Sequence, residues 1–305
     1  MKYVVTGGAG FIGSNLVDKL IEDGHEVVVF DNLSTGKSDN LNPKAQHIPL
    51  DITVDAYPLL AEANMQGADA LFHCAALPRV QPSIDNPLPS HKTNVDGTLK
   101  VLCAALNAGV KRIVYSASSS AYGDRRMPSG GYHESNPTNP LSPYGLQKLM
   151  GEQYCKLFWD IYEMETVSLR YFNVFGERQS LTGAYALVMS AFAQQRLNDQ
   201  PLRITGDGEQ RRDFTYVGDV VNANILAATS PNVGKGEVIN IGNGDNRSVN
   251  QIADLMGGPK KYIEKRLEPR ETLADNNKAK ACLGWQPTVT VEEWIPKYKK
   301  SLGIS

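Results

Sequence analysis

The feature that most constrains this chain is a cluster of glycines at residues 7–13. The short aromatic and β-branched run Tyr3, Val4 and Val5 precedes it and is typical of a buried strand. From Phe11 onward, apolar residues recur at helical spacing. A strand, a glycine turn and a helix together predict a nucleotide-binding unit. Glycines let the backbone approach a pyrophosphate, and the helix N-terminus offers it free N–H groups.

A second strand and its terminal acid support this interpretation. The glycines at 8, 10 and 13 fit the pattern G-x-G-x-x-G, and residues 25–30 read as a strand that ends at Asp31. A carboxylate about 20 residues beyond the glycines accepts hydrogen bonds from the adenosine ribose. It also repels a 2′-phosphate, and no Arg lies beside it, so the residues favour NAD over NADP. The alternative is an ordinary strand–helix turn.

Size, charge and cysteine placement narrow the class of protein. The 305 residues suffice for one large or two moderate domains. A net charge of −2, from scattered residues of both signs, gives no reason to expect nucleic acid or an anionic membrane as partner. The four cysteines lie far apart in apolar stretches, so we expect buried free thiols and no metal. We expect a cytoplasmic protein, because there is no room for a signal peptide and no membrane-length apolar run.

Strands and helices alternate over the first half of the chain. Residues 47–52, 70–76 and 110–118 read as the third, fourth and fifth strands, and residues 94–106 read as a helix. Five strands alternating with helices predict an α/β fold with a doubly wound parallel sheet. Ligands then sit beyond the strand ends, where the expected residues are Asp31, Asp51, Ala75 and Ser118.

Two residues near these ends have a second interpretation. Asp51 could reach the adenine amino group or, equally, cap a helix. His73 is better explained as a packed strand residue than as a ligand or a base.

The second half of the chain is less regular. Residues 166–172 read as a sixth strand, residues 217–228 as a helix and residues 237–241 as a strand that returns to the main sheet. We therefore expect a dinucleotide-binding domain over 1–172, completed by 217–242. A smaller substrate-facing region is expected over 173–216 and 243–305. The predicted closing helices of that region are 249–256, 274–283 and 290–302.

Tyr144 and Lys148 lie four residues apart in a predicted helix, so their side chains share one face. A tyrosine with a pKa near 10 is a poor base at neutral pH. A neighbouring ammonium stabilises the phenolate and lowers that pKa, and the positive nicotinamide ring adds to the effect. Ser118 can hydrogen-bond the same substrate oxygen. The three predict a base, the group that tunes it and an orienting hydroxyl, whereas an isolated Tyr-x-x-x-Lys indicates only a solvated helix face.

Over essentially its whole length the chain resembles the extended branch of the short-chain dehydrogenase/reductase family. The resemblance rests on the glycine turn, Asp31, Asn94, the serine run from Ser118 and the pair Tyr144 and Lys148. The later matching segments are Arg170-Tyr171-Phe172-Asn173, Arg212-Asp213-Phe214 with Val217 and Asp219, and Leu273-Ala274-Asp275. It implies a Rossmann fold, tightly held NAD and a UDP-sugar substrate. It also implies a homodimer formed through the helix at 94–106 and the Tyr144 helix.

The strand ends and the resemblance together assign individual residues. The expected NAD contacts are Gly7, Gly10, Phe11, Ile12, Gly13, Asp31, Asn32, Ser34, Thr35, Gly36, Asp51, Ile52, Ala75, Ala76, Asn94, Tyr144, Lys148 and Phe172. The expected substrate contacts are Ser118, Ser119, Tyr144, Asn173, Arg212 and Thr272. The resemblance implies that Arg212 holds the diphosphate, together with a basic residue near Lys265 or Arg266.

Two segments indicate the reaction. In the 4,6-dehydratases and glucuronate decarboxylases of this branch a carboxylate follows the catalytic hydroxyl, whereas this chain has Ser119-Ser120-Ala121. The chain therefore looks like the 4-epimerases. Residues 169–179 and 183–186 are similar to those of epimerases that act on UDP-N-acetylhexosamines. The implied reaction oxidises C4 to a 4-keto intermediate with bound NAD, turns the sugar and reduces it from the other face.

One position bears on the choice of sugar. Epimerases restricted to UDP-glucose and UDP-galactose carry Tyr three residues before the Asp that corresponds to Asp275, and here that residue is Thr272. A smaller side chain leaves room for an N-acetyl group. We therefore expect UDP-N-acetylglucosamine and UDP-N-acetylgalactosamine as substrates, with UDP-glucose and UDP-galactose also able to enter. The alternative role of Thr272 is to cap the following helix.

Three other functions are the alternatives. One is a 4-epimerase for UDP-glucose only. Another is a UDP-glucuronate 4-epimerase, which is weakened because the carboxylate-binding Arg of those enzymes lies near the position of Ser180, two residues from Arg178. Outside the enzymes, the alternative is a dinucleotide-sensing Rossmann protein, which need not keep Tyr144, Lys148 and Ser118.

Overall fold

The structure is a computed structural model that describes residues 1–124, 129–180, 187–265 and 268–304. The strands within these ranges are β1 (Lys2–Thr6), β2 (Glu26–Phe30), β3 (Gln46–Ile48), β4 (Ala70–His73), β5 (Arg112–Ser118), β6 (Glu165–Tyr171), β7 (Val174–Phe175), β8 (Leu202–Thr205), β9 (Arg211–Asp213), β10 (Thr215–Tyr216), β11 (Lys235–Ile241), β12 (Asn246–Ser248) and β13 (Lys260–Ile263). Seven of them form one parallel sheet in the order β11-β6-β5-β4-β1-β2-β3.

Helices connect and cover these strands. They are α1 (Phe11–Glu22), α2 (Tyr57–Met65), α3 (Val80–Asp85), α4 (Pro87–His91), α5 (Thr98–Asn107), α6 (Pro143–Tyr162), α7 (Val188–Leu197), α8 (Val217–Thr229), α9 (Val249–Met256), α10 (Asn277–Leu283) and α11 (Val291–Ser301). Single turns of 3₁₀-helix lie at Ser38–Asn40 and Ser119–Ala121.

The sheet is doubly wound, which confirms the predicted fold class. From β1 the chain builds outward through β2 and β3. It then returns to pair β4 with the other side of β1 and continues through β5 and β6. The strand order therefore reverses between β1 and β4, and ligands of such sheets bind beyond the strand ends at that point. The glycine turn follows β1 at this switch point.

Apolar helix faces cover both sides of the sheet. On one side α1, α8 and α10 contribute buried side chains such as Leu16 and Val220. On the other side α2, α5 and α6 contribute buried side chains such as Val101 and Phe158. Because the central strands are covered on both faces, they read in the sequence as continuous apolar runs such as residues 27–30.

A smaller unit follows β6 and has its own core. Helices α7, α9 and α11 pack with the β8–β13 pair around the buried residues Phe192, Ile204, Ile252 and Trp294. Between its segments, α8 and β11 return to the main body, where β11 pairs with β6. Helix α10, although it lies within 243–305, also packs on the main core. A substrate-binding role for 173–216 and 243–305 remains a prediction.

Some element boundaries differ from the sequence expectation. Strand β3 ends at Ile48, before Asp51, because Pro49 has no N–H with which to extend the ladder. The helix expected from residue 94 begins as a π-helical turn at Lys92–Gly97 and becomes α-helical at Thr98. Helix α10 begins three residues later than expected, because the backbone at residue 274 is held by a buried carboxylate.

The cysteines and the helix lengths can be compared with the sequence expectations. All four cysteines are free thiols, but only Cys155 is fully buried; Cys74, Cys103 and Cys282 are partly exposed. In the part of the chain that the structure describes, no helix has both the length and the apolar character needed to cross a membrane.

Candidate active site

The glycine turn after β1 packs closely against its neighbours. Gly7 has a φ of +72°, and a Cβ there would lie 2.7 Å from the N atom of Ala75. A Cβ on Gly13 would overlap the carbonyl oxygen of Gly7, so glycine is required where α1 meets the turn. Helix α1 begins at Phe11 without a side-chain cap at Gly10. Its first N–H groups are therefore available to an anion.

Asp31 follows β2 and holds the glycine turn. Its Oδ2 accepts the N–H of Ala9 at 2.9 Å, and its Oδ1 accepts the N–H of Leu33 at 2.7 Å. The side chain is buried. The carboxylate thus joins the loop after β2 to the glycine turn, and its expected contact with the ribose remains a prediction.

The polar loop after Asp31 folds back over the same turn. The N–H of Lys37 donates to the carbonyl oxygen of Ala9 at 3.1 Å, and a Cβ on Gly36 would lie 2.8 Å from the Cβ of Ala9. The Oδ1 of Asn32 accepts the N–H of Ser34 at 3.0 Å, and Thr35 beside it is exposed. The loop therefore packs over the glycine turn, and its expected contact with the adenosine end of the cofactor remains a prediction.

Asp51 lies in a turn rather than at a strand end or a helix cap. Its Oδ1 accepts the N–H of Thr53 at 2.7 Å, and α2 begins only at Tyr57. Although burial acts against it, hydrogen bonds from Thr53 and Asn32 lower the pKa of Asp51. Ile52 is buried against Gly97: a Cβ on Gly97 would lie 2.8 Å from the Cδ1 of Ile52. The helix-cap alternative for Asp51 is therefore wrong, and the adenine contact remains a prediction.

These surroundings fit a dinucleotide. The turn is a glycine cradle that Cβ atoms would fill, and the N–H of Ala75 across the switch point donates to the Oγ1 of Thr6 at 3.3 Å. The small side chains of Ala75 and Ala76 follow β4, so the crevice is lined by backbone. Backbone N–H groups, a helix N-terminus and the carboxylate of Asp31 are what a pyrophosphate and a ribose need.

Ser118 and Tyr144 meet where β5 ends and α6 begins. Ser118 is the last residue of β5, and α6 begins one residue before Tyr144. The helix comes close because residue 145 is glycine: a Cβ there would lie 2.9 Å from the carbonyl oxygen of Ser120. The Ser118 side chain lies near enough to the Tyr144 hydroxyl to oppose the rise in its pKa, and its Oγ accepts from the Oγ of Ser120 at 2.8 Å. The structure thus brings the predicted base and the orienting hydroxyl together.

The protein's own groups raise the pKa of the Tyr144 phenol. Burial is the main cause, and the nearby side chain of Ser118 and the charge of Arg79 oppose it. The expectation that a neighbouring ammonium would leave this pKa lowered is wrong for these groups, because burial outweighs the favourable charges. Arg79 is a residue that the sequence analysis did not single out.

Lys148 is fixed by contacts with the neighbouring strand β5. Its Nζ donates to the carbonyl oxygen of Ser116 at 2.8 Å and lies 4.9 Å from the centre of the Tyr115 ring. Burial lowers its pKa to about 8, against the charges of Cys74, Cys155 and Glu152, which raise it. Close to neutral pH, Lys148 is therefore an ammonium that can lose its proton at moderate cost.

Asn94 clamps the loop after β4. Its Oδ1 accepts the N–H of Leu77 at 2.8 Å, and its Nδ2 donates to the Oε1 of Gln147 at 2.9 Å. The residue is buried within the π-helical turn, a form that is frequent at functional sites. The side chain thus holds this loop to α6, and its contact with NAD remains a prediction. No sequence signal marked Gln147.

The expected sugar-contacting residues form a second group at the end of β6. Asn173 has a φ of +25°, a strained value for a residue with a side chain. Its Nδ2 donates to the carbonyl oxygen of Asp213 at 2.9 Å and to the Oγ1 of Thr272 at 3.4 Å. Helix α10 begins five residues after Thr272, so Thr272 is not a helix cap.

Arg212 is paired within the protein. Its Nη2 donates to the Oε2 of Glu268 at 2.5 Å, and burial lowers its pKa while Glu268 raises it. Glu268 was missed in the sequence, where an isolated Glu carries no signal. Lys265 is exposed, while Arg266 and the segment 183–186 lie outside the described residues. The diphosphate role of Arg212 remains a prediction.

Three further residues have clear positions. Phe172 follows β6 and is fully buried in a cluster with Tyr122 and Tyr132. Its side chain is therefore not exposed to a cofactor, and its expected NAD contact remains a prediction. Ser119 opens the 3₁₀ turn after Ser118. His73 is a packed strand residue, as predicted: its ring bonds the hydroxyls of Thr6 and Thr98 at 2.7 and 3.0 Å, and burial lowers its pKa to about 3.

Comparisons with known proteins agree with this site. A model of the NAD dependent epimerase/dehydratase family matches residues 3–242. The putative UDP-glucose 4-epimerase of Methanocaldococcus jannaschii is 40% identical over an alignment of 303 residues, and the alignment covers 96% of this chain and 96% of that protein. The Thermotoga maritima UDP-glucose 4-epimerase structure with UDP-glucose has a TM-score of 0.91 and 38% identity, covering 99% of this chain and 100% of its own.

A third protein has a different substrate in its name. The UDP-N-acetylglucosamine 4-epimerase of Methanobrevibacter ruminantium, solved in complex with UDP-N-acetylmuramic acid, is 36% identical with a TM-score of 0.87. The alignment covers 99% of this chain and 95% of that one. The chain therefore belongs to the NAD dependent epimerase/dehydratase family, in its group of NAD-dependent UDP-sugar 4-epimerases.

Proposed function

We propose that this protein interconverts the C4 epimers UDP-N-acetylglucosamine and UDP-N-acetylgalactosamine, and that it also accepts UDP-glucose and UDP-galactose. The observation that carries the proposal is that Ser118 ends β5 and Tyr144 lies at the start of α6, which places the two side chains close together at the edge of the sheet. Two hydroxyl groups held together there can both contact one substrate oxygen. This is the arrangement that proton transfer at C4 requires.

Each group has a defined task in the reaction. Bound NAD, held by the glycine turn and Asp31, supplies the reversible oxidation of C4 to a ketone. Tyr144, as phenolate, takes the proton of the C4 hydroxyl and returns it after the 4-keto sugar has turned. Ser118 holds the same oxygen in place, and Lys148 supplies a fixed positive charge on the inner side of α6. The reaction is redox-neutral overall.

The small side chain of Thr272 supports an N-acetylated sugar. Its hydroxyl faces Asn173 rather than capping a helix, and Asn173 continues the strand next to the one that carries Ser118. A residue in this position can line a sugar pocket, and a Thr leaves more space there than a Tyr. The alternative of an enzyme for UDP-glucose only requires that another side chain fill this space.

The UDP-glucuronate alternative has less support. Arg178, the candidate partner for a sugar carboxylate, donates from its Nη2 to the Oδ2 of Asp18 on α1 at 2.6 Å. The Arg178 guanidinium is thus already paired with a carboxylate of the protein, which competes with a sugar carboxylate for it. A non-catalytic dinucleotide sensor also has less support, because it would have no use for the neighbouring hydroxyl groups of Tyr144 and Ser118.

We also propose that the protein is a cytoplasmic homodimer formed through α5 and α6. The outer face of α6 carries the exposed apolar residues Leu146, Leu157 and Ile161, which a partner helix could cover. Light scattering coupled to size exclusion tests the dimer. A monomer at micromolar concentration would contradict it.

The test of the proposed activity is a parallel incubation. Purified protein is mixed with UDP-N-acetylglucosamine, UDP-glucose or UDP-glucuronate without added oxidant or reductant, and products are resolved by NMR. We expect the C4 epimers of the first two sugars. Tyr144→Phe is the matched control, which keeps the ring and its packing but removes the proton-transferring oxygen, and it should bind NAD without turnover. Near-wild-type epimerisation by that variant would refute the mechanism.

A further inference from the structure

The loop that leads from β4 into α3 is clamped to the first turns of α6 at two points. At the first point, Leu77 is held by Asn94, whose Nδ2 donates to Gln147 of α6 at 2.9 Å. At the second, the N–H of Tyr144 donates to the Oγ of Ser83 at 3.1 Å. Because Tyr144 and Gln147 are neighbours on one helical turn, residues 77–83 lie against the turn that carries the phenol.

Arg79 is the one charged residue between these two clamps. Its carbonyl oxygen accepts the N–H of Ser83 at 3.4 Å, so its backbone is tied to the same residue that holds Tyr144. Arg79 precedes α3 in an extended conformation and is partly buried. The segment that carries Arg79 therefore lies beside the start of α6.

We propose that Arg79 acts in the reaction through Tyr144, as a fixed positive charge that stabilises the phenolate while that group takes the C4 hydroxyl proton. The proposal rests on the proposed function. It adds to the site a cation that approaches the phenol from the loop after β4, whereas Lys148 approaches from α6 itself. The proton passes from the sugar oxygen to the Tyr144 oxygen and back, and Arg79 neither gains nor loses one.

The electrostatics agree with this geometry. Burial lowers the pKa of Arg79 and the charge of Tyr144 opposes that change, while burial raises the pKa of Tyr144 and Ser118 and Arg79 oppose it. From β5, Tyr115 faces Tyr144 and has its own pKa raised, chiefly by burial. The ammonium of Lys148 is engaged by the carbonyl of Ser116. The groups that face Lys148 from β4 and α6 are His73, Cys74, Glu152 and Cys155.

The test compares Arg79→Gln and Arg79→Lys with Arg203→Gln, an exposed arginine of β8 that serves as matched control. Each variant is prepared with and without Tyr144→Phe. The difference in ultraviolet absorbance between the two members of each pair then reports the ionisation of Tyr144 alone. The pH dependence of kcat and KM is measured on the NAD-loaded enzymes, and melting curves verify folding.

We expect Arg79→Gln to move the Tyr144 ionisation midpoint up by about one pH unit, and the rising limb of kcat with it, with little change in KM. Arg79→Lys should restore most of the shift, and Arg203→Gln should show none. An unchanged midpoint in Arg79→Gln, or a rise in KM alone, overturns the proposal. A wild-type enzyme that converts none of the sugars overturns the proposed function instead, and the phenol titration still decides whether Arg79 acts on Tyr144.

Discussion

The Nζ of Lys148 donates to the carbonyl oxygen of Ser116 at 2.8 Å, inside the packed interface between α6 and β5. Ser116 lies two residues before Ser118 on the same strand. Tyr144, one helical turn before Lys148, lies at the start of α6 beside Ser118 at the end of the same strand. The catalytic residues therefore sit on a helix and a strand that are fastened to each other, and this contact helps to fix their geometry.

The buried ammonium of Lys148 makes stability depend on pH. Burial lowers its pKa from 10.5 to about 8 in the folded protein, whereas the unfolded chain keeps the ordinary value. Between these pH values the unfolded state binds more protons, so the free energy of unfolding rises with pH. The rise is up to about 3 kcal/mol for this group. Urea unfolding of wild type and Lys148→Met across this window measures it as a difference between the two.

The comparison isolates Lys148 from other groups that titrate at alkaline pH. Lys235→Met, at an exposed position in β11, should follow the wild-type curve. Lys148→Met should lack the rise. If the free energy of unfolding changed with pH in the same way for wild type and Lys148→Met, burial would not be lowering the pKa of Lys148.

Much of the site could be predicted because its signals are local in sequence. The glycine turn, Asp31 and the spacing of Tyr144 and Lys148 each lie within one strand–helix unit, where periodicity and residue type carry the information. The apolar runs predicted parallel strands, and parallel strands bring their carboxyl ends to one edge. Ser118 could therefore be placed near the cofactor before any contact was known.

The parts that could not be predicted depend on contacts between distant residues. The bond from Tyr144 to Ser83 joins residues 61 apart, and Glu268 reaches Arg212 across 56. No periodic pattern marks such partners. The raised pKa of Tyr144 was missed for a related reason: it is set by burial, which depends on how α3, α6 and β5 pack. The boundaries of β3 and α10 were misplaced because Pro49 and the Asp213 carboxylate act on the backbone locally.

The carboxylate of Asp213 joins three segments of the smaller unit. Its Oδ1 accepts the N–H of Asn243 at 2.7 Å, and its Oδ2 accepts the N–H groups of Gly244 and Ala274, both at 3.0 Å. Asp213→Asn replaces one acceptor oxygen by an NH₂ group that faces a donor. We expect a loss of about 2 kcal/mol or more in the free energy of unfolding. Asp245→Asn, at an exposed neighbouring position, is the control and should change it little.

A loss confined to the exposed variant, or equal losses in both, would contradict this role of Asp213. Because the Asp213 carboxylate also holds the N–H of Ala274, two residues after Thr272, Asp213→Asn should weaken substrate binding as well. Equilibrium binding of UDP to the folded variant measures that effect.

Glu152 and Arg170 form a fully buried ion pair between α6 and β6. The Nε of Arg170 donates to Oε1 at 2.9 Å and its Nη2 to Oε2 at 2.6 Å. Removing one charge leaves the other unpaired, so Glu152→Gln should cost about 3–5 kcal/mol. The double variant Glu152→Leu with Arg170→Met should cost less than that single change. Asp160→Asn breaks the exposed Lys156–Asp160 pair on the same helix and should cost no more than about 0.5 kcal/mol. Equal costs for the buried and exposed pairs would contradict the argument.

Thr272 should decide between acetylated and plain sugars. It is buried beside Asn173, and a Tyr in its place would project a ring into the space proposed for the N-acetyl group. We expect Thr272→Tyr to lower kcat/KM for UDP-N-acetylglucosamine by about tenfold to a hundredfold relative to UDP-glucose. Thr272→Ser keeps the hydroxyl and the small volume and should preserve the wild-type ratio. If Thr272→Tyr remains folded by its melting curve yet loses both activities equally, Thr272 does not line the N-acetyl pocket.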